Sequence, residues 1–266
     1  SAASDVYKRQ VEQIVSIEVT TQPSHTLYYY YTSEATQSLT DRTMAFDPTG
    51  MVVTATYSDG SSRVVDNAKL SFSTVLAKAG SQTVIITTTT GEEVTATVEI
   101  TVSESTASVV KNSTNMVGAE DNSTAFWGAI SDDFNVPIGE TKYITFTNYS
   151  SQANNWNNFA VILRKTDITA EYAVVRADNY GWGNGYAACI HNGTQGEWST
   201  WLAGMNGAKV TVYVTNCGNS VADIQTVMES TTGTTSTQYY LGINTVDSSD
   251  LNFALTVDNC HLVFNE

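Results

Sequence analysis

Hydrophobic and polar residues alternate with a period of two from about residue 11 to residue 103. This alternation predicts half-buried β-strands, and the Asp-Gly and Thr-Gly pairs between the runs favour tight turns. About seven short strands in 90 residues is the density of an Ig-like sandwich. The clearest predicted strands are Val15–Thr20, Gly50–Tyr57, Arg63–Val65, Leu70–Ser73, Thr83–Thr87 and Val94–Val102.

Residues 116–266 show the same alternation and predict a second all-β unit, an eight-stranded or larger sandwich of the jelly-roll type. One helical turn is predicted at Trp198–Ala203. Residues 104–115 are polar, lack a clear period and are predicted to be a linker. The predicted strands are Lys142–Thr147, Phe159–Arg164, Tyr172–Arg176, Lys209–Thr215, Ala222–Met228, Tyr239–Ile243, Leu251–Val257 and His261–Phe264.

Composition narrows the functional classes. The chain has 266 residues, a net charge of −15 and 41% hydrophobic residues, which is too apolar for a disordered protein. Nucleic-acid binding is not expected, because it requires clustered Lys and Arg. A membrane span is not expected either, since no apolar run approaches the required length.

Charge and tryptophan are unevenly distributed along the chain. Residues 1–115 carry 7 bases and 12 acids, hence −5, whereas residues 116–266 carry 5 bases and 15 acids, hence −10. All five tryptophans also lie in the second part. This shift in composition predicts two domains with different roles.

The first ten residues differ from the rest of the chain. They contain no apolar run of the secretory signal type and resemble translated sequencing-adapter read-through, which is found at the ends of metagenomic gene fragments. On this interpretation residues 1–10 are not native, and the chain is a piece of a longer protein. The alternative is an ordinary disordered terminus. Neither interpretation gives residues 1–10 a function.

The three cysteines, Cys189, Cys217 and Cys260, form no C-x-x-C pair, so a zinc or thioredoxin-type site lacks support. Cys217 ends one predicted strand and Cys260 lies between two others. Two alternatives stay open, namely a Cys217–Cys260 disulfide with Cys189 free, or three buried free thiols.

The stretch Phe46–Gly60, together with the closing strand Val94–Val102, resembles the signature of bacterial Ig-like domains. The resemblance covers about residues 11–103 and implies a spacer in a secreted or surface protein. One departure is the run Tyr28–Tyr31 with residues 32–43, which is longer and more polar than the usual first connection.

The loops of the second part combine aromatic rings with amides, glycines and one arginine. Aromatic faces bury the C–H face of a sugar ring, while amide, carboxylate and guanidinium groups bind its hydroxyls. A glycine beside an indole would let a glycan chain approach that ring. The candidate stacking residues are Trp156, Trp182, Tyr180 and Trp198, and the candidate hydrogen-bonding residues are Asn154, Asn155, Asn157, Arg176 and Asp178.

Each candidate also has a structural alternative. An indole in a sandwich often belongs to the core, and we expect this for Trp127. Trp198 and Trp201 are three residues apart, so on a helical turn they share a face and one of them can be buried. Arg176 and Asp178 could pair with each other and brace their loop.

Most of residues 116–266 carries a second resemblance, to β-sandwich carbohydrate-binding modules attached to secreted bacterial polysaccharide-degrading enzymes. The resemblance implies an extracellular or cell-surface location, a linked catalytic domain, no required cofactor and a polysaccharide ligand. We expect a neutral β-glucan, with an acidic glucan such as xanthan as an alternative. The resemblance rests on the stretches Asp132–Thr141, Phe146–Phe159, Arg176–Gly183 and Tyr239–Phe264.

Catalysis is not expected, although glycoside hydrolysis needs only two suitably spaced carboxyls. Candidate carboxyls are Asp132, Asp133, Asp178 and Glu197, but no G-x-S-x-G, H-E-x-x-H or P-loop motif is present. By analogy with other sandwich modules, a structural calcium ion is expected near Asp132 and Asp258. The rival hypotheses are an adhesin or structural spacer, in which the aromatic loops are buried, and an autonomous enzyme.

Overall fold

The computed structural model describes residues 12–118, 127–150, 158–167, 171–193 and 198–264, and these residues form an almost entirely β structure. The first strands are β1 (Ile14–Thr21), β2 (Leu27–Tyr30), β3 (Thr43–Met44), β4 (Val52–Tyr57), β5 (Ser62–Val65), β6 (Leu70–Phe72), β7 (Val75–Leu76), β8 (Gly80–Thr88), β9 (Thr95–Glu104), β10 (Ala107–Val109) and β11 (Met116–Val117).

The remaining strands are β12 (Phe134–Asn135), β13 (Thr141–Ser150), β14 (Asn158–Arg164), β15 (Glu171–Arg176), β16 (Gly181–Trp182), β17 (Ile190–Gly193), β18 (Ala208–Asn216), β19 (Val221–Glu229), β20 (Thr235–Asn244), β21 (Asn252–Asp258) and β22 (Cys260–Val263). Helix α1 spans Trp198–Met205, and short 3-10 turns span Asn67–Lys69 and Tyr186–Ala188. Among the described residues, no helix is long and apolar enough to cross a membrane.

The chain forms two compact units that are not continuous in sequence. The first unit comprises residues up to 26, 45–75 and 81–101, and the second comprises 27–44, 76–80 and 102–266. The predicted Ig-like range, 11–103, was continuous, whereas the structure groups residues 27–44 with the second unit. We call residues 27–44 the inserted segment.

The first unit contains the antiparallel sheet β1-β4-β5. Its β4–β5 hairpin turns at the predicted Asp-Gly pair, where Gly60 has φ +84° and the Ser61 N–H donates to the Asp59 carboxylate at 2.8 Å. Glycine adopts this left-handed conformation without strain. The alternating β-branched residues bury one face of the strands, as predicted, and Val53 is fully buried.

The second unit is a two-sheet sandwich. One sheet has the order β11-β22-β13-β18-β19-β20-β17, with β10 added beside β13, and the other has the order β12-β21-β14-β15-β16. Inward-facing residues of both sheets form one core, in which Phe146 of β13 meets Phe159 of β14 edge to face with ring centroids 5.0 Å apart. The all-β prediction is therefore confirmed.

Helix α1 begins at the predicted residue and extends two residues further than the predicted turn. Trp201 and Met205 lie on its buried side and join the sandwich core. One of the two indoles three residues apart is therefore buried, as the helical spacing allowed. The side chain of Trp198 lies outside the described part of the structure.

The predicted linker contains regular structure. Strand β9 runs to Glu104, and β10 pairs in parallel with the start of β13. The Ser105 hydroxyl is buried against that of Thr141, and Lys142 donates from Nζ to the Ser108 hydroxyl at 3.0 Å. Backbone pairing at a sheet edge needs no apolar alternation, so the sequence pattern gave no sign of this strand.

The inserted segment is tied to the eight-stranded sheet by buried polar contacts. Arg42 pairs with Asp223, and the side chains of these two residues are 6% and 3% exposed. The Gln225 side-chain oxygen accepts from the Ser33 N–H at 3.1 Å and from the Thr36 hydroxyl at 2.8 Å. These partners are 181–192 residues apart in sequence, so no local pattern could predict them.

All three cysteines are free thiols in the structure. Burial raises the pKa of Cys217 and Cys260, and it raises the pKa of Cys189 to about 11. A raised thiol pKa leaves little nucleophilic thiolate at neutral pH.

We therefore expect the native protein to react slowly with a thiol reagent at pH 7, and the denatured protein to titrate three thiols. A denatured protein that titrates a single thiol would instead show that Cys217 and Cys260 form a disulfide.

Candidate functional site

The outer face of the five-stranded sheet carries Arg176, Tyr180 and Trp182, three of the nine residues predicted to bind sugar. Along β14, Phe159, Val161 and Leu163 enter the sandwich core, whereas Ala160 and Ile162 belong to a separate cluster on the opposite side. We call this opposite side the five-stranded face. Arg176 and Val174 of β15 share it, because Arg176 lies opposite Ala160 and Val174 opposite Ile162.

Tyr180 and Trp182 lie side by side at the β16 edge of this face, with ring centroids 6.4 Å apart. Trp182 is opposite Val174 in the sheet and packs partly buried on the cluster of Ala160, Ile162 and Val174. Tyr180 precedes the strand and is 56% exposed. We call the two rings the Tyr180–Trp182 platform.

Arg176 and Asp178 brace the turn that carries this platform. The Arg176 Nε donates to the Asp178 carboxylate at 2.8 Å, and a second guanidinium nitrogen pairs with the other carboxylate oxygen. The Arg176 N–H also bonds to the Tyr180 carbonyl at 2.7 Å, and the guanidinium lies 5.0 Å from the Tyr180 ring centroid. The pair is largely buried, which favours the bracing role over direct binding of a ligand.

The glycines beside Trp182 have an intramolecular role. A Cβ on Gly181 would lie 2.5 Å from the Tyr186 ring, and one on Gly183 would lie 3.0 Å from the backbone of Ala173. This packing role is a sufficient reason for both glycines, and their effect on the access of a glycan to the indole stays a prediction. They allow the turn to pack against its own strand and the neighbouring ring.

Sequence analysis did not select Asn158, which lies on the five-stranded face at the start of β14. It is 1% exposed, and among the residues that the structure describes neither its amide nitrogen nor its amide oxygen has a hydrogen-bond partner. Asp258 lies opposite it in the sheet, and burial raises the pKa of the Asp258 carboxyl against a smaller opposing effect of Arg176. In the sequence, Asn158 is one of several asparagines in a polar stretch, so nothing distinguishes it there as a buried residue.

Most of the other residues that the sequence singled out are not described by the structure, and Trp127 lies elsewhere than expected. Trp156, Asn154, Asn155 and Asn157 lie outside the described residues, as does the Trp198 side chain. The prediction that Trp127 is a core residue is wrong, because it is 39% exposed. Its N–H donates to the Thr256 hydroxyl at 2.8 Å, which places it over β21.

The candidate carboxylates have partners within the protein. Asp132 accepts from the Ser113 N–H at 2.8 Å, Asp133 pairs with Arg164 at 2.8 Å, and Asp178 is held by Arg176. Glu197 lies outside the described residues. Across the described ranges, no three His, Cys, Asp or Glu side chains come together to hold a metal ion.

Comparison with known families confirms the resemblance of the first unit to bacterial Ig-like domains. Residues 45–102 match the bacterial Ig-like domain (group 3) family. This range contains the signature stretch and most strands of the first unit. No curated protein matches the chain. Residues 45–102 therefore represent a bacterial Ig-like domain, and the second unit is a β-sandwich.

Proposed function

We propose that the second unit is a non-catalytic module that binds a neutral polysaccharide, a β-glucan in the favoured case, through the Tyr180–Trp182 platform. The observation that carries the proposal is an exposed tyrosine ring next to a tryptophan that rests on a buried apolar cluster. The cluster and the Arg176–Asp178 pair hold both rings in place before any ligand arrives. Preorganisation of this kind lowers the entropic cost of binding.

The chemistry of the platform suits a sugar ring. Stacking buries the C–H face of a pyranose against an aromatic face, and the ring hydroxyls then need polar partners. The Tyr180 hydroxyl and the polar groups around it supply donors and acceptors. Because the Arg176 guanidinium is already paired with Asp178, little positive charge is left for a polyanion. A neutral glycan therefore fits better than an acidic one.

In the parent protein, such a module would hold a linked extracellular glycoside hydrolase on its substrate. Tethering raises the effective substrate concentration at the catalytic domain without any new contact there. The bacterial Ig-like domain would act as the spacer between the modules. The paired state of Asp132, Asp133 and Asp178 supports a binding role over a catalytic one.

Affinity electrophoresis of the intact chain tests this proposal, in gels containing mixed-linkage β-glucan, xylan, galactomannan or xanthan. We expect retardation by a neutral glycan and a loss of affinity of about tenfold or more in Tyr180→Ala and Trp182→Ala, because each removes a stacking face. Tyr149→Ala is the matched control, since Tyr149 is 45% exposed on β13, away from the platform. A wild-type chain that no gel retards would refute the proposal and favour the spacer hypothesis.

Asn158→Leu gives a second test, because it separates binding from stability. A buried amide without partners costs about 1–3 kcal/mol relative to an apolar group of similar shape. We expect the substitution to raise the melting temperature while weakening glycan binding, since ligand hydroxyls can satisfy the amide. Unchanged binding with raised stability would exclude Asn158 from the site.

A further inference from the structure

A second aromatic surface lies on the outer face of the eight-stranded sheet. Tyr143 of β13 is directly opposite Tyr213 of β18, and the next outward-facing pair is Thr145 with Thr211. The residues between them, such as Ile144 and Val212, point into the sandwich core. The exposed side of these two strands is therefore a pair of tyrosines followed by a pair of threonines.

The inserted segment adds a third tyrosine. The Tyr31 carbonyl accepts from the Gln225 side-chain amide at 2.7 Å and from Arg42 at 3.0 Å, so the backbone is anchored at this point. The Tyr31 ring lies 5.1 Å from that of Tyr213 at a tilt of 31°, and Tyr213 lies 5.5 Å from Tyr143 at 35°. The three rings form a row.

These rings line an open groove of about 650 Å³, together with Thr145, Thr211 and Lys209. We call it the tyrosine groove. The Thr145 and Thr211 hydroxyls are 3.0 Å apart and present a polar floor beside the rings. None of these residues was selected from the sequence as a binding residue, because the three tyrosines are far apart along the chain.

We propose that the tyrosine groove is a second binding site for a neutral polysaccharide chain, separate from the Tyr180–Trp182 platform. The inference takes its ligand class from the proposed function, but it rests on a different set of residues. The three rings pack against one another at an offset, so the row offers outer ring faces, apolar ring edges and phenolic hydroxyls to a sugar chain, and the threonine floor offers hydroxyl partners. Tyrosine combines these two properties in one side chain.

The charges around the groove favour a neutral occupant. Lys209 pairs with Glu229 at 3.1 Å, and Glu104 adds a further negative charge to the lining. Burial raises the pKa of Tyr31 and Tyr213, and the neighbouring tyrosines and glutamates raise it further. Both phenols are therefore neutral at physiological pH and can donate as well as accept hydrogen bonds.

The two sites lie on different sheets of one sandwich, and the outer faces of a sandwich point in opposite directions. One straight polysaccharide chain cannot lie on both faces at once. A protein with both sites would therefore bridge two chains, and a dilute protein would cross-link its polysaccharide. This consequence separates a two-site protein from a protein with one extended site.

The experiment compares three forms of the intact chain on the polysaccharide that retards the wild type. The first is Tyr143→Ala with Tyr213→Ala, the second is Tyr180→Ala with Trp182→Ala, and the third combines all four. Tyr149→Ala is again the control. Thr211→Arg fills the groove floor without removing a ring, and it covers the case in which the tyrosine variant does not fold.

We expect the wild type to cross-link the polysaccharide that retards it, measured as turbidity. Each pair variant should still bind in the gel, with an affinity reduced by about tenfold or more through loss of bivalency, but should no longer cross-link. The variant that combines all four substitutions should not bind.

Wild-type behaviour of both the tyrosine pair variant and Thr211→Arg would overturn the second site alone. Loss of binding in these variants, with none in the platform variant, would refute the platform and assign binding to the groove. Failure of the wild type to bind any glycan would overturn both proposals.

Discussion

Replacing Arg42 with methionine is expected to lower the free energy of unfolding of the second unit by about 3–5 kcal/mol, because it leaves the buried Asp223 carboxylate without its cation. Tryptophan fluorescence during urea denaturation measures this unit selectively, since all five tryptophans lie between residues 127 and 201. The double variant Arg42→Met with Asp223→Leu should recover part of the loss. Recovery stays partial because Asp223 also accepts from the Gly242 N–H at 2.8 Å.

Lys209→Met is the matched control for this prediction. It removes a cation from an ion pair on the same sheet, but Lys209 and Glu229 are 58% and 55% exposed. Exposed pairs contribute no more than about 1 kcal/mol. Equal shifts in the two variants would show that the Arg42–Asp223 pair has no special structural role.

A fragment containing only residues 104–266 is expected to be much less stable than the same unit in the intact chain. The inserted segment supplies Arg42, the cation of the buried Asp223 carboxylate, and the hydrogen-bond partners of the buried Gln225 side chain. A buried carboxylate without its cation costs about 3–5 kcal/mol, so we expect a loss of at least this size. The urea midpoint of tryptophan fluorescence should fall accordingly.

Adding a synthetic peptide of residues 27–44 to this fragment should restore part of the midpoint, and the same peptide with Arg42→Met should restore less. A fragment as stable as the intact chain would show that the segment is only a surface attachment. The result also decides how binding studies are designed. A fragment that begins at residue 116 would lack the inserted segment, the Tyr31 ring and strand β10.

Local patterns predicted the strands of this protein well. The alternation around Phe159 and Phe253 lies within β14 and β21, and the Asp-Gly pair at residue 60 forms the expected hairpin turn. These features depend on neighbours in sequence, so the pattern contains them. The aromatic loop around Tyr180 also lies together with Arg176 and Asp178, because the loop is a short turn between adjacent strands.

Features that depend on distant partners could not be predicted in this way. The tyrosine run at residues 28–31 was noticeable in the sequence, but Tyr31 contacts the Tyr213 ring, and Tyr213 meets Tyr143 only through the register of β13 and β18. Trp127 was expected in the core because indoles favour burial, yet its backbone N–H bonds to the Thr256 hydroxyl of β21 and its side chain is exposed. The polar segment around Arg42 looked like a long connection because its counter-charge is 181 residues away.

The discontinuity of the second unit also has a consequence during synthesis. Arg42 leaves the ribosome 181 residues before Asp223, which is roughly 10–40 s at typical elongation rates. Over this interval the residues of the first unit have all emerged and β2 can pair with β9, while Arg42 and the polar residues before it still lack their buried partners on β19. Polar groups that wait for distant partners are open to non-native contacts with other chains. The yield of folded protein should therefore depend on elongation rate and on chaperones that hold extended segments, more than on the final stability of either unit.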